Sequence, residues 1–243
     1  MHSLDMRGRL LYLKGKSHTL AMTEAHNARE IPIELYAADR IDPSKIHLNH
    51  ELVSLREQSL EDTVKQVILN AGMDITKGTF KRSDKGYAIE WLFTVTPGFQ
   101  CDYKALYADT LAWLKELLPK CPIAYAVIHF DEADPHLHVI MVPVDGKGLP
   151  ASKILGYKGC SRERSHDLYE KVGRRYGLSF PLTLTGATKK KACELVIKAC
   201  EKLGYPKNLG KVWEAMKTAI HARPEPWLWA LGIQADKLGL NNM

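Results

Sequence analysis

The residues best suited to chemistry fall in one ten-residue window, His129-Phe130-Asp131-Glu132-Ala133-Asp134-Pro135-His136-Leu137-His138. It holds three of the chain's ten histidines. Apolar, strand-like runs flank it, Ile123 to Ile128 before and Val139 to Val142 after. On a β-strand, residues two apart point to the same face. His136 and His138 would therefore project side by side, with Leu137 turned away. The turn-rich segment from Phe130 to Pro135 lets the chain double back and brings His129 opposite the pair on an antiparallel neighbour. Burying three imidazoles without partners is costly. A divalent metal ion satisfies all three and keeps open positions for oxygen ligands.

Such an ion clamps oxygens of a phosphodiester and neutralises the charge that builds during an in-line displacement. The chain's balance is compatible with that substrate: 34 Lys and Arg against 28 Asp and Glu give a net charge of +6, with a pI near 8.9, a sum that solvated lysines also give. The nucleophile would be an activated water or a side chain; a side chain would leave the protein covalently joined to the DNA.

Other elements must hold this hairpin in place. Residues 4–15 alternate loosely as a first strand. Asp42-Pro43-Ser44 marks a turn before Ile46 to Leu52, and His26-Asn27-Ala28-Arg29 reads as a loop. Ser59-Leu60-Glu61-Asp62 is a capping box with Asp in place of Glu, opening a helix that stops near Gly72. Tyr87 to Thr96 is a strand ended by Pro97-Gly98. Asp102 caps a helix whose apolar side runs through Leu106, Leu111, Leu114 and Leu118. After Gly146-Lys147-Gly148 the pattern turns helical, over about 161–176, 188–203 and 210–221, with a last helix after Pro226. A boundary near Thr183–Thr188 separates a mixed sheet-and-helix part, 1–184, from a helical C-terminal extension, 185–243. Lys189-Lys190-Lys191 at that junction has two readings, a phosphate-binding run or, as is more usual for a basic run opening a helix, a solvated surface.

Five scattered cysteines, odd in number and without a CxxC pair, argue against a disulfide framework or a cysteine-held zinc and for a reducing cytoplasm. No apolar run has the length of a membrane span.

Three ordered stretches resemble the plasmid mobilisation and recombination (Mob/Pre, MobV-type) relaxases of the histidine–hydrophobe–histidine endonucleases. They are His26-Asn27-Ala28-Arg29; Asp42-Pro43-Ser44-Lys45-Ile46-His47-Leu48-Asn49-His50-Glu51-Leu52, similar to the family's "NPS-x-x-HLNYEL" with His50 where tyrosine is usual; and Ile123 through the histidine cluster to Pro143 and Ser152-Lys153. Glu90-Trp91 also resembles a family strand. The likeness spans roughly 5–180.

The resemblance implies an α+β fold: an antiparallel sheet of about five strands, helices packed mainly on one face, and a metal-bearing hairpin. It implies that His129, His136 and His138 hold Mn²⁺ or Mg²⁺, that Glu132 and less directly Asp131 support them, and that His26 is the nucleophile with Arg29 steadying it or the phosphate. Tyr36 and Tyr12 are the alternative nucleophiles. Asn27, His47 and Asn49 would form the DNA-contacting floor. Apart from the resemblance, Lys153, Arg162 and Arg164 follow the metal hairpin in sequence and are the candidates for contacts to the DNA backbone. The implied activity is nicking of one strand at a plasmid or integrative-element origin of transfer. The partners would be single-stranded or hairpin DNA, with relaxosome accessory or coupling proteins. Two rivals remain: a metal-dependent nuclease or replication initiator using activated water, and a non-catalytic origin-binding or autoregulatory protein.

Overall fold

Five strands hydrogen-bond in the order β1-β3-β5-β4-β2, every neighbouring pair antiparallel. They are β1 (Leu4–Leu11), β2 (His50–Val53), β3 (Ala88–Val95), β4 (Ile123–His129) and β5 (His136–Met141). The computed structural model describes residues 2–15, 17–30, 41–55, 58–75, 86–144, 150–156, 158–180 and 184–233. The chain divides into two compact units, His2–Pro181 and Leu182 onward.

In the first unit, strand alternation sends one set of side chains to each face. Ile89, Trp91, Phe93, Val95, Ile128, Leu137, Val139 and Met141 share a core with Leu106, Tyr107, Leu111 and Leu114 of α3 (Tyr103–Leu117), Ala151 of α4 (Ala151–Leu155) and Leu168 of α5 (Lys158–Lys171). This is the larger helical layer. On the opposite face, Leu11, Ala88, Val127, Ile140 and Val142 pack with Leu20 of α1 (Leu20–Asn27) and Leu60, Val64 and Ile68 of α2 (Leu60–Asn70). A register shift between Ile123 and Tyr125 turns both Ala124 and Tyr125 towards that second core.

Local signals set the helix starts. The Ser59 hydroxyl accepts from the Asp62 amide at 3.1 Å and donates to the Asp62 carboxylate at 2.8 Å, so Ser59 caps the helix as expected, while the shorter acid meets the cap's hydroxyl. Asp102 accepts from the Ala105 amide at 3.0 Å. The loop expected around His26 is instead the end of α1. Thr19 caps it by accepting from the Met22 amide, and Leu20-Ala21-Met22 are strong helix formers. Eight residues with no marked apolar stripe gave little periodic signal. The first strand stops at Leu11 rather than Lys14 or Gly15, because Tyr12 bridges to Thr19 and starts the turn into α1.

The second unit is helical: α6 (Gly186–Lys202), α7 (Tyr205–Leu209), α8 (Val212–Ala222) and α9 (Glu225–Ala230). Ala192, Cys193, Val196 and Cys200 of α6 share a core with Trp213, Ile220 and Leu228. Cys101, Cys121, Cys193 and Cys200 are outside any disulfide. Among the described residues no helix is long and apolar enough to cross a membrane.

Leu137 is fully buried beneath the two histidines that flank it. Leu137→Ala is expected to lower unfolding stability by about 2–5 kcal/mol through the cavity it leaves, seen as a lower urea midpoint at unchanged slope.

Candidate metal centre and its helix

The β4–β5 hairpin sets His129 directly opposite His136, with Val127 opposite His138. The chain thus doubles back as the Phe130–Pro135 segment requires. The three imidazoles lie on the sheet face that carries α1, and their ring centroids stand 4.9 to 5.2 Å apart. His129 is fully buried and His138 nearly so.

Each ring uses one nitrogen to fix itself and turns the other inward. The His138 Nδ1–H donates to Glu90 Oε1 at 2.7 Å. The His129 Nε2–H donates to the Asn27 carbonyl at 3.2 Å, and the His136 Nδ1–H to the Asp134 carbonyl at 2.9 Å. These bonds set the tautomers. His138 Nε2 and His129 Nδ1 are then buried with no hydrogen-bond partner, an expensive arrangement for polar atoms that a cation resolves. Burial first, and then the neighbouring His138, holds both His129 and His136 below the usual imidazole range, so their lone pairs are available.

Around these rings a charged brace closes the site. Arg29 donates through Nε and Nη2 to Asp131 at 2.8 and 2.7 Å, and through Nη2 to Glu132 at 2.7 Å. Its Nη1 reaches the His26 carbonyl at 3.1 Å. Burial alone would raise the Asp131 carboxyl, but the Arg29 fork outweighs it and holds it low. Arg29 takes a left-handed φ of 58°, uncommon for a side chain of this size, where the helix gives way to the next segment. Glu132 Oε1 lies 3.9 Å from His129 Nδ1 and 3.8 Å from His136 Nε2. The Asn49 side-chain oxygen accepts from the Phe130 amide at 2.7 Å, and the Asp42 amide donates to the Asp131 carbonyl at 2.7 Å.

His26 completes the cluster. Its ring centroid is 5.6 Å from those of both His129 and His138. Ring nitrogens of His26, His129 and His138 lie within 4.8 Å of one another, as do the donor atoms of His129, Glu132 and His136. Burial, then the adjacent His138 and Arg29, lowers the His26 pKa to about 4.

The structure therefore brings together His26, Arg29, Asp131, Glu132, His129, His136 and His138. Asn27 is buried and reaches the site through its carbonyl; Asn49 braces the hairpin turn. His47 is exposed on a short 3-10 helix, Pro43–Leu48. Lys153, Arg162 and Arg164 do not converge here. They belong to α4 and α5 on the far face, where Arg164 lies over the Trp91 ring and donates to the Leu155 carbonyl. Tyr36 lies outside the described residues. Glu90 is a site residue that the sequence marks only as an acid in mid-strand among apolar neighbours. Burial alone would raise its pKa, but the hydrogen bond with His138 and the ion pair with Arg9 bring it to about 2. Arg7 and Arg9 share this face by strand alternation, a placement that needs the register of β1 on β3.

The family model for plasmid recombination enzymes, Mob/Pre, matches residues 11–177. The chain belongs to this family. A type 3 plasmid recombination enzyme of Staphylococcus aureus is 29% identical over 150 residues, 59% of this chain and 36% of that protein. One from Streptococcus agalactiae is 28% identical over 142 residues, 56% of this chain and 28% of its own length. The chain spans about a third of the length of these curated Mob/Pre relatives. In fold it resembles the MobM relaxase domain, solved manganese-bound with plasmid pMV158 oriT DNA at pH 4.6. The TM-score is 0.61 at 22% identity, covering 76% of this chain and 96% of that one.

The Arg29 brace is nearly inaccessible, its side chain 5% exposed. Arg29→Ala is expected to lower stability by about 3–5 kcal/mol, because it strands a buried carboxylate. Arg29→Lys should recover only part, since an ammonium cannot reproduce the fork. Chemical denaturation of the three proteins measures both.

Proposed function

We propose that this Mob/Pre family member is a relaxase that nicks one DNA strand at an origin of transfer and later rejoins it. The observation that carries this reading is the convergence of inward-facing nitrogens of three fixed histidines beside a fourth, His26, on one sheet face. The donor set fits a divalent ion, with His129, His136 and His138 holding Mn²⁺ or Mg²⁺. When bound, the ion supplies charge that stabilises a pentacovalent phosphorus.

The chain's own residues do the rest. Neutral at pH 7, His26 attacks the phosphorus, forming a P–N bond while the P–O3′ bond breaks. The proton lost from its other ring nitrogen offsets the one taken up by the 3′ oxygen. The 5′ phosphate stays on the protein as a phosphoramidate. Arg29, committed to Asp131 and Glu132, keeps the end of α1 in place so that His26 faces the hairpin. Glu90 orients His138 and Glu132 flanks His129 and His136, as outer partners of metal ligands do. DNA lying over this face meets Arg7 on β1; Lys153, Arg162 and Arg164 take part only where the DNA wraps past the sheet edge. The natural partners on this reading are single-stranded or hairpin origin DNA and relaxosome proteins, in the cytoplasm.

Incubation with a labelled single-stranded origin oligonucleotide and Mn²⁺ should give a covalent species that mild acid destroys and chelator prevents. His26→Ala should give none. An acid-stable adduct persisting in His26→Ala would point to a tyrosine; nicking without any adduct would favour activated water; binding without nicking would favour a DNA-binding module.

Two further outcomes follow from the same face. Glu90→Gln is expected to weaken Mn²⁺ binding by about 10–100-fold, measured by calorimetry. Arg7→Gln should weaken DNA binding and reduce the slope of log affinity against log salt by about one, whereas Lys153→Gln should change that slope less.

A further inference from the structure

His26 is placed where an ion would sit, and not only where a substrate would. Its ring nitrogen shares a group within 4.8 Å with those of His129 and His138, while His136 groups instead with His129 and Glu132, so a four-imidazole site needs His136 to turn towards the other three. An ion bound at about 2.1 Å to tetrahedral nitrogens asks them to stand about 3.4 Å apart, a modest contraction from this spread. The alternative donor, Glu132, already has its Oε1 in a 2.7 Å bond to Arg29. The helix end carrying His26 is held at the site twice, by the Arg29 Nη1 bond to the His26 carbonyl and by the bond from His129 to the Asn27 carbonyl. Both anchors use backbone oxygens.

We propose that His26 is itself a metal donor in the DNA-free protein, closing a four-imidazole site that the arriving phosphodiester opens. This rests on the metal-site reading above and adds a resting state to it. A lone pair shared with an ion cannot attack phosphorus, so the nucleophile is masked until DNA oxygen displaces it. The chemistry of the donor set has a second consequence. Four imidazoles favour borderline ions such as Co²⁺ and Zn²⁺, whereas three imidazoles with oxygen positions suit Mn²⁺. The DNA-free protein should therefore discriminate more strongly for Co²⁺ over Mn²⁺ than the DNA-bound one does.

Cobalt tests this without relying on activity. Four-coordinate Co²⁺ absorbs visible light several-fold more strongly than five- or six-coordinate Co²⁺. The full chain loaded with Co²⁺ should show the intense band. His26→Ala should lose most of it and bind Co²⁺ about tenfold or more weakly, while His136→Ala/His138→Ala should show no band. Titrating wild-type protein with a single-stranded oligonucleotide carrying the scissile phosphate should weaken the band in the same way, a measurement that needs no variant. A wild-type band unchanged by both His26→Ala and DNA would overturn the inference and leave the metal site standing. No Co²⁺ or Mn²⁺ binding by the wild-type chain would overturn both.

Discussion

The Arg29 fork into Asp131 and Glu132 is the interaction on which the site's geometry depends. It joins two parts of the chain about a hundred residues apart: the end of α1, which presents His26, and the turn of the β4–β5 hairpin, which presents the three strand histidines. A guanidinium suits this place because its planar set of donors satisfies two carboxylates and a carbonyl at once. A buried charge of either sign alone would be strongly unfavourable. Together they offset each other, leaving one net negative charge beside the histidines, and fix distances, so that the helix end cannot drift from the hairpin without exposing all of them.

The sheet supplies the rigidity. The histidines stand on β4 and β5, inner strands paired on both sides, and their strand neighbour Leu137 is locked into the core beneath. Each imidazole is then oriented by a second bond, to Glu90, Asn27 or Asp134. Rings held at both Cβ and one nitrogen have little freedom left, and the inward nitrogens of His129 and His138 stay without hydrogen-bond partners. Preorganisation of this kind suits a site that must stabilise developing charge, since little reorganisation is needed when the charge appears. The buried, unpaired nitrogens disfavour the site by itself, and a bound cation offsets that.

The family match and the fold cover the first unit. Its two faces divide the labour: the α3–α5 face builds most of the core, while the α1–α2 face leaves the histidine end of the sheet for chemistry. The helical unit from Leu182 onward has its own core around Trp213 and lies beyond the residues the family model matches.

The sequence by itself determined the local features. Period-two placement of His136 and His138, a turn of the right length, and apolar runs on both sides were enough to put His129 across from His136, because pleat and hairpin geometry act between near neighbours in the chain. Capping residues likewise marked α2 and α3. What only the tertiary structure decided were the long-range pairings. Glu90 reaches His138 because β3 lies beside β5 in a particular register. Arg7 and Arg9 reach the same face through β1 pairing with β3. Arg29 turns to Asp131 rather than outward because α1 packs across the sheet. Lys153, Arg162 and Arg164 follow the hairpin closely in sequence, yet α4 and α5 carry them to the far side. A charged side chain leaves no periodic trace of its eventual partner, so its role is fixed only when packing and strand order bring the two together.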